Sequence, residues 1–165
     1  MLEYTFQEQS IKRIESSWRP WIANILTERW GSERIVTRGI VHNADQLPGF
    51  IAFLGDQPVG LLTFNVSGSE CEIISLDSMV EKRGIGSALV ETIRKEAVDR
   101  GCKRLWLITT NDNLPAFRFY QKRGYRLAAV HPNALDESRR LKPEISHTGM
   151  DGIPLRDEIE LEMLL

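Results

Sequence analysis

Two glycines stand close together in the segment from Arg83 to Ser87, between a strand-like run and an amphipathic run. Glycines at the start of a helix let the backbone approach a ligand closely. The unpaired amides and the dipole of the first helical turn also favour an anion such as a phosphate. Lys82 and Arg83 add positive charge. The same glycines could serve only to form the bend between strand and helix, so both interpretations are open.

A second set of residues with defined spacing lies further along the chain. Asn113, Ala116 and Tyr120 are separated by three and four residues, which places them on one face of a helix. Pro115 suits the first turn of that helix, and Gly124 suits its end. The three residues could pack on a sheet, with the tyrosine hydroxyl bonding to any partner, or they could line a ligand site.

Other phosphate motifs and the common metal motifs are absent from the sequence. A dinucleotide fingerprint needs Gly or Ala at position 89, where the chain has Leu89, and it follows the first strand of a parallel fold. The nucleoside triphosphate loop GxxxxGKS/T does not occur. Cys71 and Cys102 form no CxxC pair and the histidines show no ligand spacing, so we expect buried thiols and no metal site.

The elements around these residues can be predicted from periodicity. Alternating apolar runs and turn residues predict an antiparallel meander with strands over 49–54, 59–66 and 71–79. Apolar residues at every fourth position predict a helix over 84–100. A second helix over 114–122 lies between two further predicted strands, so the chain forms a strand–helix–strand unit. Such a unit implies one parallel pair within a mostly antiparallel sheet.

The remaining segments have weaker patterns. An alternating start from Leu2 to Phe6 is followed by apolar spacings of three and four over 11–30, which suggest helices. Residues 35–39 could form a short strand before a loop. Residues 131–156 predict a loop-rich insertion with one helix around 134–141, and the chain ends in a closing strand.

Composition narrows the class of protein. A chain of 165 residues, 42% hydrophobic and 27% charged, suits one domain over residues 1–165. The net charge of −2 does not favour a nucleic acid partner. No apolar run approaches the ~20 residues of a membrane-spanning helix. The N-terminus lacks the basic and apolar blocks of a secretory signal. We therefore expect a cytoplasmic protein without a membrane partner.

Together the two motifs resemble those of the GCN5-related N-acetyltransferases, the GNAT family. Members carry Q/R-x-x-G-x-G/A at the start of the central helix and N-x-x-A-x-x-x-Y-x-x-x-G-F/Y after the next strand. Here the motifs stand at 81–86 and 113–125, with Glu81 in place of the usual Gln or Arg. The resemblance implies a single α/β (α+β) domain. Its mixed, mostly antiparallel sheet of six or seven strands would have a splayed central parallel pair and about four flanking helices.

The resemblance also implies a reaction and its partners. Acetyl-CoA would be the co-substrate, without a metal, and the acetyl group would pass directly to a primary amine of a small molecule or peptide. A homodimer is compatible with the family. Two alternatives stay open: a CoA-binding sensor or interaction module without catalysis, and an acyltransferase that uses a longer acyl-CoA.

Roles for individual residues follow from the same resemblance. The pyrophosphate would lie on the amides of the glycine segment, and backbone N–H groups over 77–79 would hold the acetyl carbonyl. Asn113 would steady the cofactor, and Tyr120 would act as the general acid for the leaving thiolate. The expected CoA-binding residues are Leu76, Ser78, Met79, Arg83, Gly84, Ile85, Gly86, Ser87, Asn113, Ala116 and Tyr120.

A base is needed because the acceptor amine is protonated at neutral pH. Deprotonating an alkylammonium of pKa about 10.4 at pH 7 costs roughly 4.6 kcal/mol. Glu72 and Asp77 are the candidates, and either could instead be a solvated carboxylate. On a regular strand they have opposite parity, so we expect only one of them to face the substrate and favour Glu72.

Acceptor recognition is expected from the less regular segments. Trp18, Trp21 and Trp30 are predicted mainly as core residues. The basic run over 139–142 is expected to be a solvated helix face. If this run lined the cleft, it would indicate an acceptor that carries a carboxylate or phosphate.

Overall fold

The computed structural model describes residues 8–165, which form a seven-stranded sheet and a separate two-stranded hairpin. The strands are, in chain order, β1 (Gln9–Arg13), β2 (Arg34–Thr37), β3 (Ile40–Asn43), β4 (Gly49–Leu54), β5 (Gln57–Ser67), β6 (Glu70–Ser78), β7 (Arg104–Thr110), β8 (Arg126–His131) and β9 (Glu158–Leu164). The sheet order is β1-β4-β5-β6-β7-β9-β8, and the hairpin joins β2 to β3. Within these residues the α-helices are α1 (Arg19–Trp30), α2 (Ile85–Asp99), α3 (Leu114–Gln121) and α4 (Ala134–Leu141).

The pairing directions confirm the predicted fold class. Strands β6 and β7 are parallel, and the other neighbouring pairs of the sheet are antiparallel. Helix α2 supplies the crossover that a parallel pair requires. In the described part of the chain, the seven-stranded sheet and the four helices match the expected mixed α/β architecture.

Helices cover both faces of the sheet. On the α2 face, Leu89 is fully buried in the same core as Phe64 of β5. On the α1 face, Leu26 is buried in a second core with Ile74 of β6. The hairpin also covers the α1 face, because Ile35 of β2 belongs to this second core. Membership in one core or the other therefore shows toward which face of the sheet a buried strand residue points.

Strand β6 contains a β-bulge. Thr63 of β5 lies opposite Ser75, whereas the next residue, Phe64, lies opposite Ile73, so Ile74 is the extra residue. A bulge shifts the alternation of side chains by one position. Residues of β6 before and after Ile74 consequently follow different parities.

The parallel strands diverge toward their carboxyl ends. Pairing between β6 and β7 stops at Ile73 and Leu107, although β6 continues to Ser78 and β7 to Thr110. A wedge therefore opens in the middle of the sheet. Sheets with parallel strands commonly bind ligands at this edge, beyond the carboxyl ends of the strands.

The first part of the chain differs from its prediction. Ile11 lies in edge strand β1 and not in a helix, because backbone pairing with β4 fixes the extended conformation. The predicted strand at 35–39 is β2, and it pairs with β3 where a loop was expected. The alternation from Leu2 to Phe6 lies outside the described residues. Within residues 8–165, no helix is both long enough and apolar enough to cross a bilayer.

Candidate active site

A cleft of about 1010 Å³ occupies the wedge between β6 and β7. It is lined by the ends of these strands, the start of α2, helix α3 and the last turn of α1. Met150 of the insertion (131–156) completes the lining. The cleft is large enough for a cofactor-sized ligand, and its lining includes residues from both faces of the sheet.

The start of α2 has the geometry of an anion site. Gly84 adopts a left-handed conformation with φ of 69° and provides no side-chain cap. The Ala88 amide donates to the Gly84 carbonyl at 3.0 Å. The amides of Ile85, Gly86 and Ser87 therefore precede the first helical hydrogen bond and have no acceptor within the helix. Together with the helix dipole, these three amides suit a phosphate.

A basic residue that the sequence analysis missed adds charge to this anion site. Arg123 lies over the ring of Phe119, 3.7 Å from the ring centroid, and its Nε donates to Ser87 Oγ at 3.0 Å. Helices α2 and α3 are close here, because a Cβ atom on Gly86 would meet Phe119 at 3.3 Å. Arg83 is exposed beside the same helix end. In the sequence, the position of Arg123 within the second motif (113–125) could have indicated its place beside the anion site.

The backbone amides at the end of β6 differ in their availability. The Met79 amide donates to the Val59 carbonyl at 2.8 Å, so it cannot bind an acetyl oxygen as expected. In an antiparallel pair the N–H groups alternate in direction. The Asp77 amide therefore also points toward β5, while those of Leu76 and Ser78 point into the wedge. Of the expected donors over 77–79, Ser78 has an amide directed into the wedge, and the amide of Leu76 points the same way.

The structure brings Asn113, Ala116 and Tyr120 together on the cleft. Tyr120 is 6% exposed and packs edge-on against Tyr125 at 5.3 Å between ring centroids. Burial raises the pKa of Tyr120 well above its ordinary value, so the hydroxyl stays protonated at neutral pH. Asn113 caps α3, because its Oδ1 accepts from the Ala116 amide at 3.2 Å. Within the described part of the chain, the amide nitrogen of the Asn113 side chain has no acceptor.

Asp77 lines the cleft from the α1 face. Its Oδ2 accepts a hydrogen bond from Trp30 Nε1 at 2.9 Å, and the residue is 8% exposed. Burial raises the pKa of Asp77, while the Trp30 bond and the nearby charge of Arg29 oppose this rise. Asp77 is therefore a carboxylate in contact with the cleft, and its basicity is above the ordinary value.

Glu72 occupies a different environment. It is buried, is not part of the cleft lining, and accepts a hydrogen bond from the Thr37 hydroxyl at 2.7 Å. The same hydroxyl lies 2.9 Å from His42 Nε2. Burial raises the pKa of Glu72 to about 7. Glu72 thus lies in a buried polar cluster under the hairpin.

The expectation that Glu72 and Asp77 point to opposite faces is wrong. Thr37 belongs to β2 and Trp30 to α1, and both of these elements cover the α1 face. The bulge at Ile74 changes the parity between the two carboxylates, so both face the same side. Parity therefore cannot select between them, whereas their positions relative to the cleft differ.

Comparison with known proteins identifies the family. A model of the Acetyltransferase (GNAT) family matches residues 11–125. The chain belongs to the GNAT family. The protein YdhI of Bacillus subtilis (strain 168) is 45% identical to this GNAT chain over 139 residues, which are 84% of this chain and 87% of YdhI.

Solved structures share the GNAT fold over nearly the whole chain. The IAA acetyltransferase from Bacillus cereus ATCC 14579 has a TM-score of 0.74 at 21% identity, covering 96% of this chain and 100% of that one. A GNAT family acetyltransferase from Elizabethkingia anophelis with acetyl-CoA bound has a TM-score of 0.71 at 17% identity, covering 95% and 98%. At these identities the likeness concerns the fold.

The part of the cleft between α1 and the insertion contains residues that the sequence analysis placed elsewhere. Trp30, predicted mainly as core, lines the cleft together with Met150. The run 139–142 is not a cleft wall: Arg140 pairs with Glu137 at the surface, and Lys142 is buried. The condition for an anionic acceptor is therefore not met. Within residues 8–165, no group of three or more His, Cys, Asp or Glu side chains is arranged to hold a metal.

Proposed function

We propose that this GNAT protein transfers the acetyl group of acetyl-CoA directly to a primary amine of a small molecule or peptide. One observation carries the proposal. The open amides of β6, the protonated hydroxyl of Tyr120 and the carboxylate of Asp77 all border the same cleft. A thioester placed there has hydrogen-bond donors on one side and a base on the other.

The residues present fit acetyl-CoA as co-substrate, which supplies the activated thioester. The amides of Gly86 and Ser87 would hold its pyrophosphate, with Arg123 adding positive charge. The amides of Leu76 and Ser78 would bind the acyl and pantetheine part. A backbone donor on the acetyl oxygen stabilises developing negative charge by about 3 kcal/mol. The acetyl-CoA in the Elizabethkingia anophelis relative supports this choice.

Tyr120 is proposed to protonate the departing thiolate. The hydroxyl carries its proton at neutral pH, and because burial raises the pKa of Tyr120 it is a weaker acid than a solvated tyrosine. A thiolate with a conjugate pKa near 8.5 is already a tolerable leaving group, so the acid contributes at most roughly 10² to 10⁴-fold. Burial raises the pKa of Cys71 to about 12, which argues against a cysteine nucleophile and favours direct transfer.

Asp77 is the better-placed candidate for the base. It lines the cleft, whereas Glu72 is separated from the cleft and bonded to Thr37. A base must reach the amine proton directly or through one water. Glu72 is the second candidate, and it would need a chain of waters to act.

Tyr120→Phe tests the proposal. Thiol release from acetyl-CoA is measured over a panel of amines, and CoA affinity is measured by calorimetry. We expect turnover to fall at least tenfold with little change in CoA affinity. Unchanged turnover would remove Tyr120 as the acid. If the native protein binds CoA but releases no thiol with any amine, the non-catalytic sensor is favoured, and failure to bind CoA overturns both functions.

A further inference from the structure

The acceptor side of the cleft has two large apolar side chains on its lining. Trp30 ends α1, and Met150 lies in the insertion between β8 and β9. Their residues are 39% and 48% exposed, respectively, so both offer surface to a ligand. An indole and a thioether are well suited to pack against an apolar or aromatic group.

Buried polar contacts hold both of these walls in place. Lys142 is 4% exposed, and its Nζ donates to the carbonyls of Trp30 and Arg34 at 2.7 Å each. Asp112 is 5% exposed and accepts from the Met150 amide at 2.9 Å. A wall that is ordered before the ligand arrives loses little freedom on binding, which favours affinity.

Asp77 provides the polar contact of this part of the cleft. Its Oδ2 accepts from Trp30 Nε1, and its Oδ1 has no hydrogen-bond partner among residues 8–165, so Oδ1 can bind an incoming ammonium group. A carboxylate and an aromatic ring both attract an ammonium ion. The amine would therefore bind at Asp77, and the rest of the acceptor would contact Trp30 and Met150.

The charges on the cleft lining are mostly negative. In the described part of the chain, the acids on this lining are Glu28, Asp77 and Glu81 and its basic residue is Arg29. Glu81 precedes α2 at the anion site, so the acids of the acceptor end are Glu28 and Asp77. Arg29 is close enough to Asp77 to lower the pKa of that carboxyl, but it offsets only one of the two acidic charges at this end, so a net negative charge remains to attract an ammonium group. A carboxylate or phosphate on the acceptor would lie among these acids without a cationic partner of its own, which is unfavourable.

We propose that the acceptor is a primary amine on an apolar body, without a carboxylate or phosphate group beside the amine. This acceptor class rests on the proposed transferase function. It follows from the Trp30 and Met150 walls, the Asp77 carboxylate and the acidic lining. The whole insertion (131–156) lies beyond the family match at 11–125, so Met150 is outside the sequence that the family model describes.

Three amines test the acceptor class on the native protein. Phenethylamine and phenylalanine differ only by the carboxylate, and ethylamine lacks the ring. The assay is thiol release from acetyl-CoA. We expect kcat/KM for phenethylamine to exceed kcat/KM for phenylalanine and for ethylamine at least tenfold. Equal or faster reaction of phenylalanine, or of ethylamine, overturns the inference but leaves the transferase function intact. If the protein binds CoA but releases no thiol with any amine of a wider panel, both the transferase function and this inference are overturned.

Charge and wall variants separate the two parts of the inference. Glu28→Lys is expected to narrow the preference for phenethylamine over phenylalanine at least threefold. Glu33→Lys makes the same charge change on an exposed residue outside the cleft lining and should leave that preference unchanged. Met150→Ala should narrow the preference for phenethylamine over ethylamine, while CoA affinity stays constant. If Glu28→Lys leaves the preference for phenethylamine over phenylalanine unchanged, the role of the acidic lining is contradicted. If Met150→Ala leaves the preference for phenethylamine over ethylamine unchanged, the role of the apolar wall is contradicted.

Discussion

Replacing Asp77 by Asn separates its proposed role as a base from its role in packing. The side chain of Asn has nearly the same shape and keeps a carbonyl oxygen that can accept from Trp30 Nε1, as Asp77 does at 2.9 Å. It cannot accept a proton at neutral pH. The substitution therefore removes the proposed proton acceptor and retains the contact that orders the last residue of α1.

The size of the effect follows from the ionisation of the amine. At pH 7 an alkylammonium of pKa about 10.4 must pay roughly 4.6 kcal/mol to become the free amine, which corresponds to a factor of about 10^3.4. Without a base, the Asp77→Asn enzyme depends on free amine from solution. We expect kcat/KM to fall roughly 10² to 10⁴-fold at pH 7. Each higher pH unit should recover about tenfold, because the free amine increases tenfold.

The assay is thiol release with phenethylamine between pH 5.5 and 9.5, with Glu72→Gln as the matched control. Only an ionised carboxylate accepts a proton, so the native rate should rise with pH through the pKa of the base. Burial raises the pKa of Glu72 to about 7. An acid limb near pH 7 that disappears in Glu72→Gln would identify Glu72 as the base. A deficit in Asp77→Asn that is constant with pH would refute proton transfer to Asp77.

Two further predictions concern stability. The folded pKa of Glu72, about 7, exceeds its ordinary 4.5, so its stabilisation is present below pH 4.5 and is lost as pH rises through 7. Because Gln is neutral at every pH, the unfolding free energy of Glu72→Gln should exceed that of the native protein by about 3 kcal/mol at pH 8 and nearly equal it at pH 4.5. A difference in urea unfolding that does not change with pH would contradict this prediction. Lys142→Met leaves the Trp30 and Arg34 carbonyls without their donor, so it should lower the unfolding free energy by about 2 kcal/mol. Because Trp30 lines the cleft, the same substitution should raise KM for the amine. Arg140→Met, at the exposed neighbour, should change the unfolding free energy by less than about 0.5 kcal/mol, and equal effects of both variants would argue against the buried contact.

Elements with a regular hydrophobic period were predictable from the sequence. Helix α2 was expected over 84–100 and spans Ile85–Asp99, and α4 was expected and found over 134–141. Local spacing determines such helices, because one apolar stripe must face the core. Strand β1 was missed because its conformation depends on pairing with β4, which is distant in sequence.

The bulge at Ile74 shows why the carboxylates were misassigned. The apolar residues Ile73 and Ile74 read as part of an uninterrupted strand, and parity was counted through them. The bulge is visible only in the pairing of β5 with β6, in which Phe64 lies opposite Ile73 and not opposite Ile74. A single extra residue reversed the expected direction of Asp77 relative to Glu72.

The burial of Lys142 also could not be predicted from the sequence. A run of three cations with one leucine is typical of an exposed helix face, and Arg140 behaves in that way. Lys142 follows the end of α4, where its side chain reaches carbonyls of the α1 region. Such a contact depends on how the insertion packs on α1, and no local pattern in 139–142 indicates it.

The two sides of the cleft differ in how far they can be predicted, and the reason is chemical. CoA would be bound largely by backbone amides, which require glycines, a helix start and an open strand end within one short stretch, 76–87. The proposed acceptor side consists of the side chains of Trp30, Asp77 and Met150, which are brought together only by the fold. The family match at 11–125 includes the first stretch and stops before Met150. We therefore expect changes in the insertion to alter the choice of amine without affecting the binding of CoA. Met150→Ala should change the relative rates with different amines and leave CoA affinity unchanged.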